Sequence, residues 1–152
     1  MRVQHPTLRI LWIALLASQV IYLVVAFILP AGSAADPGTV DTLSFLLGGV
    51  AISIAAGTLV YRRRALVAPI QTGRVDPNTP EGFPKVFVPF VLNLVLSESI
   101  AIYGLVLVLL SHDPLRALPF AIGAFVLMYL HRPMAPDLVP PSTAGVYRPP
   151  SL

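Results

Sequence analysis

Four long apolar stretches are the feature that most limits how this chain can fold. They run from Thr7 to Leu29, from Thr42 to Tyr61, from Val86 to Leu110 and from Leu115 to Leu130. A membrane-crossing helix needs about 20 mostly apolar residues, because the backbone must satisfy its own hydrogen bonds in lipid. Only 11% of the 152 residues are charged, against about 25% in soluble domains. The sequence therefore predicts an all-α, polytopic membrane protein with four transmembrane helices.

Prolines at the ends of these stretches indicate the same boundaries. Proline is tolerated in the first turn of a helix and disrupts a helix interior. Pro89 and Pro119 lie near predicted helix starts, and other prolines fall between the segments. We divide the chain into a four-helix transmembrane domain, residues 1–131, and a proline-rich cytoplasmic tail, residues 132–152. The six prolines of the tail favour an extended chain that acts as a spacer or a docking peptide.

The first stretch also has two features of a secretory signal peptide. Arg2 and Arg9 give it a basic start, and Ser33 and Ala35 are small residues suited to a cleavage site. The apolar run from Ile10 to Leu29 contains 20 residues, whereas the apolar region of a signal peptide has about 7–15. We therefore expect an uncleaved helix.

The placement of lysine and arginine predicts the orientation in the membrane. No basic residue lies between Pro30 and Asp41, whereas the segment after the second stretch carries Arg62, Arg63, Arg64, Arg74 and Lys85. Because basic loops stay on the cytoplasmic side, we expect a multi-pass protein with both termini cytoplasmic. The three consecutive arginines are also candidates for contact with lipid headgroups or a partner, or they only mark the end of the second helix.

Glu98 is the acid that the sequence places deep within a predicted helix. It lies about 18 Å from Val86 along the third helix, near the middle of a hydrocarbon core about 30 Å thick. A charge at that depth costs about 2.5–3.5 kcal/mol on insertion scales, so Glu98 needs a proton, a hydrogen-bond partner or a cation. Gln19, at a similar depth in the first helix, is a candidate partner. Glu98 either handles an ion or fixes the register of the helices as a neutral acid.

The stretch SESIAIYGLVLVLL, from Ser97 to Leu110, resembles the ion-binding helix of the proteolipid c subunit of rotary ATP synthases. The resemblance aligns Glu98 with the carboxylate of that family, and Ser99 and Tyr103 with positions used by its sodium-binding members. It implies that Glu98 carries a proton or a sodium ion in a homo-oligomeric ring. The rest of the chain departs from the two-helix hairpin of the family. The second helix lacks the sodium-ligand glutamine of the family, and Gln19 from the first helix is the available substitute.

Small residues spaced by four form a stripe on the second predicted helix. Gly49, Ser53 and Gly57 would let another helix backbone approach closely. We interpret the stripe as helix packing within this bundle, with an oligomer interface as the alternative.

The sequence gives little support for an enzyme. His5 and His131 are predicted to be cytoplasmic and His112 external, so the three histidines cannot form one site. No second acid lies near Glu98 for acid–base catalysis, and no glycine-rich phosphate loop is present.

Nucleic-acid binding is also not indicated, because no basic run is interleaved with aromatic residues. The partners that we expect are the lipid bilayer, further copies of the chain or other subunits of a membrane complex. The predicted function is the handling of a proton or sodium ion at Glu98, without another cofactor. The alternative is a structural or assembly subunit of a larger membrane complex.

Overall fold

The computed structural model describes residues 6–29 and 32–133, and within these ranges the regular structure is entirely helical. The four principal helices are α1, Pro6–Ile28; α2, Pro37–Tyr61; α3, Gly82–Ser111; and α4, Leu118–Leu130. A 3₁₀ turn, Pro114–Ala117, leads into α4. The described residues thus confirm the all-helical prediction, whereas residues 134–152 of the predicted proline-rich tail lie outside them.

Three helical segments are long and apolar enough to cross a membrane. They are Pro6–Ile28, Pro37–Gln71 and Gly82–Ser111, and a shorter apolar helix spans Pro114–Leu130. The shorter helix has four residues of 3₁₀ helix and 13 of α-helix, which gives a length of about 28 Å. That length is close to the roughly 30 Å thickness of the hydrocarbon core. The chain is a small multi-span membrane protein.

Helix α3 is the centre of the bundle, because it packs against α1, α2 and α4. Its buried residues recur at intervals of three and four, which places them along one side of the helix. This buried row runs through Phe90, Leu94, Ser97, Ala101, Gly104 and Val108. At Gly104 the neighbouring helix comes so close that an added Cβ atom would lie 2.9 Å from Cβ of Phe120.

Capping residues explain where two of the helices begin. The Asp36 carboxylate accepts a hydrogen bond from the backbone N–H of Thr39 at 3.0 Å, and Pro37 occupies the first turn of α2. The Asp113 carboxylate accepts from the N–H of Leu115 at 3.0 Å, just before the 3₁₀ turn. In both cases a side-chain oxygen satisfies an N–H that has no partner within the helix.

The second helix does not end at Tyr61 as predicted. It continues through a π-helical turn, Arg62–Val67, and a helical turn, Ala68–Gln71, which together we call the α2 extension. Pro69 has no N–H to donate within the helix, and the N–H of Ala68 bonds to the carbonyl of Arg63, five residues earlier. The apolar residues of this extension bury against α1 and α3, so the segment is not the loop that its arginines suggested.

Helix α3 begins at Gly82, four residues earlier than predicted. Pro89 consequently lies inside the helix and not in its first turn. The side-chain amide of Asn93 donates to the carbonyl of Pro89 at 2.8 Å. This bond holds the buried Asn93 side chain against the backbone one turn below it, where Pro89 interrupts the regular helical hydrogen bonding.

The two ends of the bundle differ in charge. One end, which we call the basic end, carries Arg9, Arg62, Arg63, Arg64, Arg74, Lys85 and Arg132, with Asp76 and Glu81 as its described acids. At the opposite end, Arg116 contacts Asp41 at 2.8 Å and Asp113 at 3.8 Å. Nearby acids therefore neutralise Arg116 at the opposite end, and the positive charge of the described residues is concentrated at the basic end.

Candidate functional site

Glu98 lies half-buried between α3 and α1, and its carboxyl group contacts two hydroxyl groups of α1. Oε1 of Glu98 is hydrogen-bonded to Oγ of Ser18 and accepts a hydrogen bond from Oη of Tyr22 at 3.0 Å. Ser18 and Tyr22 are four residues apart on α1 and therefore lie on the same face of that helix. The site is a carboxyl group bridged to the adjacent helix by two hydroxyls.

Ser18 has a second acceptor within reach. Its Oγ lies 2.7 Å from the carbonyl oxygen of Leu15, one turn earlier in α1. A serine hydroxyl has one proton, so it can donate to only one of the two oxygens at a time. The direction of the Ser18–Glu98 hydrogen bond therefore depends on whether Glu98 carries a proton.

The other predicted ion-site residues form no hydrogen bond with Glu98 in the described part of the chain. Gln19 is buried, with 1% exposure, and neither its Nε2 nor its Oε1 has a hydrogen-bond partner among the described residues. The hydroxyl of Ser99 donates to the carbonyl of Leu96 at 2.8 Å, within α3. Tyr103 packs against the cluster that contains Ile100 and Phe120. The hydroxyl groups that the structure brings to Glu98 are thus those of Ser18 and Tyr22.

The small-residue stripe of α2 faces away from the bundle. Gly49, Ser53 and Gly57 are all exposed, and a Cβ atom added at either glycine would meet no atom within 4 Å. The Ser53 hydroxyl donates to the carbonyl of Gly49, within its own helix, at 2.9 Å. The predicted packing of this stripe inside the bundle is therefore wrong, because α2 presents a different face to α3.

The three consecutive arginines occupy the π-helical turn at the basic end. Arg62 is half-buried, whereas Arg63 and Arg64 are exposed. Leu66 and Ile70, both 1% exposed, anchor the same segment in an apolar cluster with Leu8 and Phe90. The exposed arginines are thus fixed to the bundle by the apolar residues that follow them and do not lie in a free loop.

A second polar cluster lies where α4 ends against α3, and the sequence prediction missed it. His131, for which the sequence predicted only a cytoplasmic location, is buried, with 1% exposure. Its Nδ1 lies 3.1 Å from Oγ of Ser97. The hydroxyl of Ser97 donates to the carbonyl of Asn93 at 2.7 Å. The signal available in the sequence was the i, i+4 pair Asn93 and Ser97, which marks a polar face of α3 that contacts another helix.

The environment of His131 disfavours its charged form. Burial, followed by the positive charge of Arg62, lowers the pKa of His131 from 6.5 to about 4. His131 is therefore a neutral imidazole at physiological pH. Nearby, the indole N–H of Trp12 donates to the carbonyl of Met128 at 2.9 Å, which satisfies a carbonyl in the last turn of α4.

The chain matches no protein-family model, no curated protein and no solved structure. No group of three or more metal-ligating side chains occurs within residues 6–29 and 32–133. Two features characterise the described part of the chain. It has the architecture of a small multi-span helical membrane protein, and a half-buried acid, Glu98, joins α3 to α1.

Proposed function

We propose that this protein binds and exchanges a proton at Glu98 within the membrane. The observation that supports the proposal is the contact of Glu98 Oε1 with the hydroxyl groups of Ser18 and Tyr22. An ionisable side chain within a membrane-spanning helix is usually functional, because its charged form is costly there. The resemblance of this helix to the proteolipid c subunit favours the same function.

The position of Ser18 gives both protonation states of Glu98 a satisfied arrangement. With Glu98 neutral, its O–H donates to Ser18 Oγ, and the hydroxyl of Ser18 donates to the carbonyl of Leu15. With Glu98 ionised, the hydroxyl of Ser18 rotates and donates to the carboxylate. Tyr22 donates to Oε1 in both states. Rotation of one hydroxyl therefore accompanies loss or gain of the proton, with no movement of the helices.

A proton is favoured over a sodium ion by the small number of oxygens at the site. Hard cations such as Ca²⁺ and Mg²⁺ are held by roughly six or more oxygen ligands. The hydrogen bonds at Glu98 bring together its own Oε1, Ser18 Oγ and Tyr22 Oη. Ser99, which the resemblance offers as a sodium ligand, directs its hydroxyl to the backbone of α3.

Labelling with dicyclohexylcarbodiimide tests the proposal, because the reagent modifies a protonated carboxyl group in an apolar site. The intact protein in mild detergent would be labelled at several pH values, with and without sodium, and analysed by mass spectrometry. We expect labelling at Glu98 that falls as the pH rises and is unaffected by sodium. Exposed Glu81 is the control carboxyl, and Glu98→Gln should remove the label.

The other outcomes of this labelling have definite meanings. If sodium suppresses the labelling, the ion that Glu98 binds would be sodium and not a proton. Failure of Glu98 to react at any pH would contradict the proposal and would indicate an acid sealed between α1 and α3 as a structural link.

A structural or assembly subunit is the second candidate function, and the exposed stripe of α2 favours it. Because Gly49, Ser53 and Gly57 contact no other part of the described bundle, the surface is available to a neighbouring subunit. The size of the purified protein in mild detergent distinguishes the two arrangements. A large homo-oligomer favours a ring related to the c subunit, whereas a monomer or hetero-complex favours an assembly role.

We also propose that the basic end faces the cytoplasm and contacts anionic lipid headgroups. Seven basic residues are described at this end, and Arg63 and Arg64 in the α2 extension are exposed. Each lysine or arginine near an anionic membrane surface contributes about 1 kcal/mol of attraction.

A further inference from the structure

The buried cluster at the end of α4 fixes the position of the ring proton of His131. The hydroxyl of Ser97 lies 2.7 Å from the carbonyl oxygen of Asn93, which can only accept a hydrogen bond. In the arrangement that this distance favours, Ser97 gives its one proton to that carbonyl. Nδ1 of His131, 3.1 Å from Ser97 Oγ, then donates to the serine oxygen. The neutral ring then has its proton on Nδ1, and Nε2 is an acceptor.

Two acceptor atoms of this cluster have no hydrogen-bond donor within the residues that the structure describes. Nε2 of His131 and Oδ1 of Asn93 are both buried without a hydrogen-bond partner, and each residue is 1% exposed. The amide nitrogen of Asn93 is already used on the carbonyl of Pro89. A buried acceptor without a donor is unfavourable, so two such atoms on the two residues that Ser97 contacts require an explanation.

The chemistry of the two acceptors indicates what binds there. A ligand that satisfies both must supply two donors and be small enough for a packed interhelical space. A cation would meet these requirements, but Arg62 already lies close enough to lower the proton affinity of the ring. A neutral molecule with two O–H donors fits the cluster, and water is the smallest one.

We propose that Asn93 and His131 form a binding site for one ordered water molecule, which joins the end of α4 to α3. The water donates one hydrogen to Nε2 of His131 and the other to Oδ1 of Asn93. With the Ser97 hydrogen bond, this completes a polar junction between the end of α4 and α3. The site is independent of Glu98, whose hydrogen bonds run to α1.

Nuclear magnetic resonance of the intact protein in nanodiscs tests this site directly. With ¹⁵N-labelled histidine, we expect the ring of His131 to carry its proton on Nδ1. We also expect the Nε2 resonance to lie at a position typical of a hydrogen-bonded acceptor. A through-space cross-peak should connect the ring of His131 to a bound water. A proton on Nε2, or an Nε2 resonance typical of a free acceptor without a water cross-peak, would overturn the proposal.

Matched variants identify the second partner of the water. Asn93→Leu removes one acceptor while keeping the size of the side chain, and we expect loss of the water cross-peak and a shift of the Nε2 resonance. Asn78→Ala, in the exposed loop before α3, should leave both signals unchanged. An Nε2 resonance that responds to Arg62→Gln but not to Asn93→Leu would assign the donor to the arginine and contradict the water site. If Asn93→Leu does not fold, the measurements on the unmodified protein still decide.

Discussion

Ser18 and Ser99 both lie in apolar helices near Glu98, but their hydroxyl groups have different contacts. Ser18 reaches Glu98 on the neighbouring helix, whereas Ser99 bonds only to the backbone of its own helix at Leu96. Ser99 follows Glu98 directly in the sequence, but its side chain points in a different direction from that of Glu98. Consecutive side chains on a helix point about 100° apart, so the neighbour in sequence is not the neighbour in space.

Ser18→Ala should therefore destabilise the protein, and Ser99→Ala should not. Removing the Ser18 hydroxyl takes one partner from a half-buried acid, at a cost of about 1–2 kcal/mol. Thermal unfolding of both variants in the same detergent, followed by circular dichroism, measures the difference. Equal stability of the two variants would mean that the Ser18–Glu98 hydrogen bond contributes nothing to holding α1 on α3.

The lowered pKa of His131 predicts that the stability of the folded protein depends on pH. Its pKa is about 4 in the folded protein and 6.5 in the reference state, so between these values the unfolded chain binds a proton that the folded protein does not. Stabilisation from the neutral ring is complete above pH 6.5 and is lost as the pH falls towards 4, by up to roughly 3 kcal/mol. Unfolding measured across this range should show the loss, and His131→Gln should reduce the slope. An unchanged slope in the variant would place the dependence on other groups.

At the scale of helices, two glycines have opposite surroundings. A Cβ atom at Gly104 would lie 2.9 Å from Phe120 and 3.1 Å from the carbonyl of Ala117, so Gly104 allows the close approach of α3 and the start of α4. Gly57, on the exposed stripe of α2, has no atom within 4 Å of the same position. Gly104 therefore allows a close contact between two helices of the chain, whereas Gly57 lies at no such contact among the described residues.

Gly104→Ala should destabilise the bundle by about 1–3 kcal/mol, because the added methyl group separates two packed helices. Gly57→Ala should be neutral or stabilising by up to about 1 kcal/mol, because alanine is the better helix former. Both are measured by thermal unfolding at low protein concentration. A marked loss of stability or of oligomer size in the Gly57 variant would show that a second copy of the chain packs on the stripe, which would favour a homo-oligomeric ring.

Two predicted helix ends that the structure places elsewhere both lie near proline. The sequence placed the end of the second helix at its arginines, but the α2 extension continues through a π-helical turn and buries Leu66 and Ile70. It placed Pro89 in a first turn, but α3 begins at Gly82. In both cases burial of apolar residues against neighbouring helices outweighs the local preference of charge or proline to end a helix.

For the whole molecule, the charge difference between the two ends predicts its orientation. The chain has no cysteine, so single cysteines can be introduced without interference from native thiols. Asn78→Cys marks the exposed loop at the basic end, and Ser33→Cys marks the segment before α2. In intact cells, an impermeant thiol reagent should label the Ser33 variant and leave the Asn78 variant unlabelled until the membrane is opened. The reverse pattern would place the basic end outside.

Much of the architecture could be predicted from the sequence, because membrane crossing depends on one-dimensional properties. Runs of about 20 apolar residues gave the three long helices and the shorter fourth helix without knowledge of their packing. The location of Glu98 within one of these helices also followed from its position in such a run. The partners of Glu98, the exposed side of the small-residue stripe and the burial of His131 did not follow, because each depends on the rotation of one helix against another.

What the sequence determined by itself was therefore the number of apolar helices, their approximate lengths and the presence of an acid within one of them. Hydrophobicity decides these features, because every residue contributes its transfer free energy wherever its neighbours lie. Only the tertiary structure decided that Ser18 and Tyr22 meet Glu98 and that Ser97 meets His131. These contacts join residues 34 to 80 positions apart in the chain, and they exist because the packing of α1 and α4 on α3 sets which faces meet.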